Sequence, residues 1–388
     1  MSKAILTGTH VMMGNHAMVE GAIAAGCRFF AGYPITPQNE VPERMSERMP
    51  EAGGTFIQME DEIGSIAACI GASLVGVKAM TSSSGPGICL KQECISWAAS
   101  VEIPLVIANV QRTGPGSGIV SLPHHGDMMQ ARFGGNGDYQ VITIVPASSQ
   151  ELFDMMIDAF NYAEIWRVPV IVMSDAFLGH ILEKVVIPSA DEINKRVVQR
   201  RKPTIEPAKY VPFTYEDKGQ LVIPPPPVMG SPYFPAWMPS VTHNERGIPI
   251  LDERGSYKMV QKLCDKIVKN EDKIVKTESY YLDDADIVVV AYGLPFRTSL
   301  RAVREARKKG IKAGLLRLVT VWPFPNKAVS AAVEGKKAVV VPEINFGQMF
   351  IEIERAAAKK CVPAHLVPQI SKLHEPKEIL SKIEEVAK

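Results

Sequence analysis

Residues 56–87 decide the fold of this chain, and they read Phe56-Ile-Gln-Met-Glu-Asp-Glu-Ile-Gly-Ser-Ile-Ala-Ala-Cys-Ile-Gly-Ala-Ser-Leu-Val-Gly-Val-Lys-Ala-Met-Thr-Ser-Ser-Ser-Gly-Pro-Gly87. A short apolar run over residues 55–59 is followed by three consecutive acids, a long segment almost without charge, and a second apolar run over residues 77–80. Length and side-chain period favour strands for the short runs and a helix for the segment between them. The stretch therefore predicts a β-α-β unit, which ends in a loop of serines and glycines.

Three acids, Glu60, Asp61 and Glu62, stand where the first strand ends and the helix begins. The free N–H groups and the positive end of a helix favour anions, so simple capping is one interpretation. The helix that follows has small or apolar residues on every face, which predicts burial all round. A carboxyl group near such low-dielectric surroundings gains proton affinity and often takes part in chemistry. Both interpretations, a helix cap and a carboxyl group that takes part in catalysis, therefore stay open.

The loop over residues 81–87 reads Thr-Ser-Ser-Ser-Gly-Pro-Gly and leads into a helix that starts near Ile88. Such a loop offers backbone N–H groups to an anion, or lets a ligand approach the main chain closely. It is not a Walker loop, because no Gly-Lys-Ser/Thr follows. A plain tight turn is the alternative interpretation.

Size and charge limit the possible classes of protein. The 388 residues allow two or three domains, and 43 basic against 42 acidic residues give a net charge of +1, which argues against nucleic acid or an anionic membrane as a partner. The Met1-Ser2-Lys3 start lacks a signal-peptide core, and no apolar run reaches the roughly 18 residues that span a bilayer. We therefore expect a cytoplasmic protein.

Six cysteines are scattered along the chain without any Cys-x-x-Cys pair. This pattern predicts reduced, packed thiols and no metal cluster or metal site in the chain itself. The cysteines are Cys27, Cys69, Cys89, Cys94, Cys264 and Cys361.

The chain divides into three parts by its pattern of predicted helices, strands and proline-rich sequence. Residues 1–200 alternate helix and strand patterns, as in a doubly wound α/β domain with a parallel sheet. Residues 201–280 form a proline-rich connection, and the aromatic residues of its segment 231–239 suggest that it wraps a surface before a charged helix begins. Residues 281–388 alternate again, which predicts a second α/β domain with a closing amphipathic helix.

Several of these features should share one edge of the first sheet. Open parallel sheets bind ligands outside the carboxyl ends of their strands, and Thr36, Glu62, the loop 82–87 and Arg112 all follow predicted strands. Arg112 could hold a carboxylate or a phosphate through two parallel hydrogen bonds, or form a surface ion pair. The sequence therefore predicts a ligand site at this edge.

Four motifs carry a resemblance to a known family. They are Tyr-Pro-Ile-Thr-Pro at 33–37, Met-Glu-Asp-Glu-Ile-Gly at 59–64, Ser-Ser-Gly-Pro-Gly at 83–87 with Leu-Lys-Gln-Glu at 90–93, and Arg-Thr-Gly-Pro-Gly at 112–116. Together they resemble the α subunit of the 2-oxoacid:ferredoxin oxidoreductases, which use thiamine diphosphate. The resemblance covers nearly the whole chain. It implies a thiamine-diphosphate-binding domain of the pyrimidine type, followed by a transketolase-C-terminal-like α/β domain.

The resemblance implies a reaction and roles for five residues. A 2-oxoacid and coenzyme A would give an acyl-CoA and carbon dioxide, with electrons passed to ferredoxin. Glu62 aligns with the family's acid on the pyrimidine ring of the cofactor, and Ser84 and Gly85 with residues that bind that cofactor. Thr36 and Arg112 align with substrate contacts, the arginine holding the 2-oxoacid carboxylate.

Partner chains are implied by what the family needs and this sequence lacks. Thiamine enzymes usually hold the diphosphate through Mg²⁺ on a Gly-Asp-Gly motif, and only residues 136–138 (Asn-Gly-Asp) come near it. The resemblance therefore implies a β subunit that supplies the diphosphate site, Mg²⁺ and a 4Fe–4S cluster. It also implies a γ subunit and a ferredoxin-like δ subunit, with ferredoxin as the electron acceptor.

The substrate is predicted from two details. Residues 114–118 and 134–139 look more like the branched-chain (2-oxoisovalerate) type than the 2-oxoglutarate type. His124 and His125, just beyond the arginine loop, could reach a second carboxylate or an aromatic substrate, or could form a solvated loop pair. A 2-oxoglutarate or an aromatic 2-oxoacid substrate and a non-catalytic α/β scaffold are the alternatives.

Overall fold

The computed structural model describes residues 5–217, 219–234 and 238–388. The Met1-Ser2-Lys3 start and the Pro235-Ala236-Trp237 part of the proline-rich segment lie outside the described residues.

Helices and strands alternate through the first half of the chain, as predicted for residues 1–200. The order is β1 Gly8–Met13, α1 Gly14–Ala24, β2 Phe29–Gly32, α2 Glu40–Glu51, β3 Thr55–Gln58, α3 Glu62–Leu74, β4 Ala79–Ser83, α4 Pro86–Ser100, β5 Leu105–Gln111, α5 Met128–Phe133, β6 Ile142–Ile144, α6 Ser149–Trp166, β7 Pro169–Asp175, α7 Ala176–His180, β8 Leu182–Ile187 and α8 Ala190–Arg196.

The second half resumes regular structure after an irregular connection. The order is β9 Glu216–Asp217, β10 Gln220–Leu221, α9 Glu253–Val268, α10 Glu271–Ile274, β11 Thr277–Tyr280, β12 Ile287–Tyr292, α11 Pro295–Lys308, β13 Ala313–Leu318, β14 Thr320–Trp322, α12 Asn326–Val333, β15 Ala338–Glu343, α13 Phe350–Ala358, β16 Ala364–Pro368 and α14 Pro376–Val386.

The first sheet has seven strands in the order β14-β6-β7-β5-β4-β2-β3. All pairs are parallel except β14 with β6. Alternate side chains of β5 enter two different cores: Val106 packs with α1, α2 and α6, whereas Ile107 packs with α3 and α4. Helices on both faces of a mostly parallel sheet are the doubly wound arrangement that the sequence predicts.

The second sheet has five strands in the order β11-β13-β12-β15-β16, and only β11 is antiparallel to its neighbour. Helices α11 and α14 cover one face, and α12 and α13 the other. The two sheets are joined by β14, which pairs with β6 at the edge of the first sheet. Trp322 of β14 donates from Nε1 to the carbonyl of Met128 at 2.8 Å, so the second domain is attached near the loop that follows Arg112.

The irregular connection packs against the first domain. The amide of Met229 donates to the carbonyl of Leu74, and Trp97 Nε1 donates to the carbonyl of Pro239 at 3.1 Å. Helix α9 is anchored by a buried ion cluster in which Lys262 and Lys266 both contact the carboxylate of Glu102. The connection therefore covers the ends of α3 and α4, away from the predicted ligand edge.

The prediction that α3 is buried on every face is wrong for this chain. Ile63 is 46% exposed, and Ala67 and Gly71 are also exposed. The four-residue spacing places them on one side of the helix, which faces away from the sheet. Among the described residues, no helix is both long enough and apolar enough to cross a bilayer.

Candidate active site

The carboxyl ends of neighbouring strands bring the predicted residues together. Because β2 and β4 are paired, as are β4 and β5, the turn after β2, the loop after β4 and Arg112 after β5 meet at one edge. Arg112 Nη1 donates to the carbonyl of Thr36 at 2.5 Å. A Cβ placed on Gly85 would lie 3.4 Å from Arg112 Nε. The predicted convergence on one edge is thus found in the structure.

The three acids before α3 have separate roles. Asp61 is the N-cap, and its Oδ1 accepts a hydrogen bond from the amide of Gly64 at 2.7 Å. Glu62 is the first helical residue, only 5% exposed, and its Oε1 accepts from Ser83 Oγ at 3.3 Å. Glu60 is exposed. Asp61 therefore caps the helix, and the buried carboxyl of Glu62 takes no part in capping.

The glycines of the loop 83–87 make room for this carboxyl. A Cβ on Gly87 would lie 2.1 Å from Ser83 Oγ and 2.3 Å from Glu62 Oε1, closer than real Cβ contacts. Gly85 has φ +46° and ψ −115°, a conformation that side chains other than hydrogen rarely allow. The plain-turn interpretation is too simple, because the Glu62 carboxyl occupies the space that a side chain at position 87 would need.

The buried lysine Lys91 contacts the backbone of Glu62. Lys91 Nζ donates to the backbone carbonyl of Glu62 at 3.1 Å and to Thr81 Oγ1 at 3.0 Å. Burial lowers the pKa of Lys91 to about 8, although Cys69 and Glu62 act in the opposite direction. Sequence reasoning quoted Lys91 only as part of a motif. The available signal was that it is the one basic residue of α4, a helix in which Gln92 and Glu93 follow it among mostly small or apolar residues.

Arg112 is buried and is not part of an ion pair. Among the residues that the structure describes, no carboxylate oxygen lies within 4.0 Å of its guanidinium, so the surface-ion-pair interpretation is wrong. Its Nε has no hydrogen-bond partner, and the same is true of Ser84 Oγ and of Asn39 Oδ1 next to Thr36. Buried polar atoms of this kind normally have partners. The unpartnered Nε of Arg112 can donate to a carboxylate of a ligand, Asn39 Oδ1 can accept from a donor group, and the Ser84 hydroxyl can do either.

The two histidines beyond the arginine loop are not a solvated pair. His125 is 1% exposed, lies 2.9 Å from Asp175 Oδ2 through Nε2, and stacks on the ring of Tyr292. His124 is partly buried, and burial together with His125 lowers its pKa. Asn345 Nδ2 donates to the carbonyl of His125 at 2.7 Å. His125 therefore joins the arginine loop to the second domain, and sequence reasoning missed its partners because they lie far along the chain.

An exposed apolar surface adjoins Glu62. We define the α3/α4 surface as Ile63, Ala67 and Gly71 of α3 together with Cys89 and Leu90 of α4, all exposed. The two helices pack against each other, and Glu62 and Lys91 directly neighbour members of this surface along the chain. Contiguous exposed apolar surface next to a polar site is typical of a protein-binding face.

Family profiles match both domains. Residues 20–262 match the family described as pyruvate flavodoxin/ferredoxin oxidoreductase, thiamine-diphosphate-binding. Residues 285–378 match core domain II of pyruvate:ferredoxin oxidoreductase. The predicted fold class, a thiamine-diphosphate-binding domain followed by a second, transketolase-like α/β domain, is confirmed.

Individual relatives agree with the profiles. The 2-oxoglutarate synthase subunit KorA of Methanothermobacter marburgensis is 46% identical over 380 residues, which cover 97% of this chain and 99% of the relative. The ketoisovalerate oxidoreductase subunit VorB of Methanothermobacter thermautotrophicus is 36% identical over 381 residues, 98% of each chain. A solved 2-oxoglutarate:ferredoxin oxidoreductase from Magnetococcus marinus, with 2-oxoglutarate, coenzyme A and succinyl-CoA bound, superposes with a TM-score of 0.91 at 28% identity. That match covers 98% of this chain and 66% of the other.

These matches extend along nearly the whole chain, and the relatives are named subunits of oxidoreductases. They confirm the prediction of an enzyme subunit over that of a non-catalytic scaffold. The chain therefore belongs to the 2-oxoacid:ferredoxin oxidoreductase family, as an α subunit with a thiamine-diphosphate-binding domain.

Proposed function

We propose that this chain supplies the pyrimidine-side half of a thiamine-diphosphate active site, with Glu62 as the acid that acts on the cofactor. The observation that carries the proposal is the position of the Glu62 carboxyl. It is buried, held by Ser83 and made possible by Gly87, at the same edge where Arg112 meets Thr36.

Glu62 would hydrogen-bond a ring nitrogen of the pyrimidine. Thiamine diphosphate, when bound, supplies a carbon nucleophile and an acceptor for the electrons of decarboxylation. The Ser83 hydroxyl orients the Glu62 carboxyl, and burial keeps water from competing for its proton. Ser84 and Gly85 would contact the cofactor, the serine through its buried hydroxyl and the glycine through its half-buried main chain.

Arg112 and Thr36 would bind the carboxylate of the 2-oxoacid. Because Nη1 of Arg112 is held by the carbonyl of Thr36 at 2.5 Å, the guanidinium is fixed in orientation. Its opposite edge, which includes the unpartnered Nε, is left for two parallel hydrogen bonds to a carboxylate. Such a clamp would place the keto group beside the cofactor, which is how positioning lowers a barrier.

The substrate we propose is 2-oxoglutarate, because the relative named 2-oxoglutarate synthase subunit is more similar (46% identical) than the one named ketoisovalerate oxidoreductase subunit (36%). The branched-chain substrate that residues 114–118 and 134–139 favour is the second candidate. An assay of the assembled enzyme with 2-oxoglutarate, 2-oxoisovalerate and an aromatic 2-oxoacid, each with coenzyme A and a viologen dye, separates them. A larger kcat/KM for 2-oxoisovalerate than for 2-oxoglutarate would reverse our order.

The reaction needs partner chains and coenzyme A as co-substrate. We propose that a β subunit carrying Mg²⁺, the diphosphate site and a 4Fe–4S cluster covers the α3/α4 surface, and that γ and ferredoxin-like δ subunits complete the enzyme. The exposed apolar side of α3 beside Glu62 supports this placement. The isolated chain should then show no turnover, and a cytoplasmic location stays a prediction.

Glu62→Gln tests the proposal in the enzyme assembled with its partner chains. Loss of a general acid or base typically costs about 100- to 10,000-fold in rate, so we expect turnover to fall by at least about 100-fold while assembly, followed by size-exclusion chromatography, is retained. Glu60→Gln is the matched control, because Glu60 is two residues away and exposed, and it should keep turnover. Full activity of Glu62→Gln would overturn the proposed function.

A further inference from the structure

The ammonium group of Lys91 has no role in the function proposed so far. Its side chain is fully buried, and it donates to two neutral oxygens, the Glu62 carbonyl and Thr81 Oγ1. Among the residues described, no carboxylate oxygen lies within the 4.0 Å of an ion pair with Nζ. Burying an ammonium without a paired carboxylate costs folding free energy, so stability alone does not explain this lysine.

The titratable groups near Lys91 belong to α3, to the N-cap of α3 and to α4. Nζ lies at the first turn of α3, where the positive end of the helix dipole disfavours a cation. The titratable groups that influence it are Cys69, Glu62 and Asp61 of the neighbouring α3 segment and Cys94 of its own helix. Of these, burial raises the pKa of Cys69 to about 12 and also raises the pKa of Cys94, so both thiols are neutral. The carboxyl groups near Lys91 are those of Asp61, which caps α3, and of Glu62, and Arg112 is a second basic residue that acts on Glu62.

The two hydrogen bonds of Lys91 join three elements. Lys91 is on α4, Thr81 is in β4, and Glu62 opens α3. The lysine therefore sets the distance between the first turn of α3 and β4, whose last residue, Ser83, donates to the Glu62 carboxyl.

We propose that Lys91 is a positioning residue for the cofactor-side acid: its two hydrogen bonds fix the first turn of α3 against β4, and so hold the backbone that carries the Glu62 side chain. This inference rests on the proposed function of Glu62. An acid that hydrogen-bonds a cofactor nitrogen must be held in a defined position, and the two hydrogen bonds of Lys91 fix the turn that carries it.

Lys91→Met and Lys91→Arg test the inference in the assembled enzyme. Lys78→Met is the matched control, because Lys78 is also buried, donates to two backbone carbonyls (Ala25 at 2.8 Å and Val198 at 2.7 Å), and has its pKa lowered to about 8 by burial. It stands before β4, at the opposite end of that strand from Ser83. The measurements are kcat and KM determined separately, the dissociation constant of thiamine diphosphate by titration without substrate, and urea unfolding.

We expect Lys91→Met to weaken thiamine diphosphate binding by about 10-fold, since a shifted carboxyl loses its productive geometry. The value of kcat should fall by about 10-fold with little change in KM for the 2-oxoacid, because Lys91 contacts the turn that carries the cofactor-side acid. Lys91→Arg should recover most of the cofactor affinity, because its guanidinium still donates hydrogen bonds. Lys78→Met should lose stability without changing the cofactor affinity or kcat.

Unchanged cofactor affinity together with unchanged kcat in Lys91→Met would overturn the inference and leave Lys91 a structural residue. If Lys91→Met does not assemble, Lys91→Leu provides the same comparison, since its side chain also lacks a hydrogen-bond donor. Glu62→Gln separates the two proposals: full activity there refutes the proposed function, whereas an inactive Glu62→Gln with a wild-type-like Lys91→Met refutes only the role of Lys91.

Discussion

Gly87→Ala should damage the active site more than the fold. The added Cβ would lie 2.3 Å from Glu62 Oε1, 2.8 Å from Glu62 Cδ and 2.1 Å from Ser83 Oγ, whereas ordinary contacts are 3.4–4 Å. The carboxyl must therefore move by roughly 1 Å, and a misplacement of that size can cost about 100-fold in rate, or about 2.7 kcal/mol of barrier. Overpacking costs about 1–3 kcal/mol of stability, partly offset by the better helix propensity of alanine.

The assay is kcat/KM of the assembled enzyme with 2-oxoglutarate, coenzyme A and a viologen dye, at a temperature where circular dichroism shows the variant to be folded. Gly21→Ala is the matched control, because its Cβ would lie equally close, 2.3 Å, to the carbonyl oxygen of Phe153. Gly21 is in α1, which packs on α6 across the sheet from the site. It should lower the unfolding midpoint while kcat/KM stays within about twofold, as expected when overpacking is far from the reacting groups.

The reasoning would be refuted if Gly87→Ala kept kcat/KM within about threefold of wild type, a change of less than 1 kcal/mol. The carboxyl would then tolerate displacement, and its present position would carry no catalytic information. Equal losses in Gly87→Ala and Gly21→Ala would likewise show that the effect is one of stability.

Two further predictions concern Asp61, which caps α3, and Glu102, which pairs with two buried lysines. Asp61→Ala removes the N-cap of α3 and should lower the free energy of unfolding by about 1 kcal/mol, whereas Asp61→Asn should keep most of it, because both caps accept from the amide of Gly64; equal losses in urea unfolding would contradict this. Glu102→Gln leaves Lys262 and Lys266 buried without their carboxylate and should cost about 3–5 kcal/mol by urea unfolding. Burial alone would raise the pKa of Glu102, but Lys262, Lys266 and Arg167 outweigh it and hold the pKa well below its ordinary value. This carboxylate therefore stabilises the fold above its unfolded-state pKa and loses that contribution as pH falls below about 4. Glu102→Gln should lack this part of the acid sensitivity, and an unchanged acid limb in the variant would contradict it.

Most of the regular structure could be predicted because its signals are local. Strand β13 (Ala313–Leu318) and helix α12 (Asn326–Val333) follow the alternation predicted for residues 281–388, since each is a compact apolar run between turn residues. Strand β14 was missed because three residues carry too little periodicity. Its partners, such as Met128 for Trp322, are 194 residues away.

The candidate site was likewise predictable only in part. That Thr36, Glu62, the loop 83–87 and Arg112 share an edge follows from the order of parallel strands alone. The separation of Asp61 as cap from Glu62 as buried acid does not follow from it, because it depends on a backbone angle at one residue and on which side chain turns inward.

The sequence by itself determined the α/β order, the family and the residues at the ligand edge, because these depend on local periodicity and on motif identity. Only the tertiary structure decided that one side of α3 is open, that His125 pairs with Asp175 and that Lys91 supports Glu62. Each of these is a contact, or the lack of one, between segments distant along the chain. Such contacts leave no period in the sequence, so only the packed arrangement of the elements reveals them.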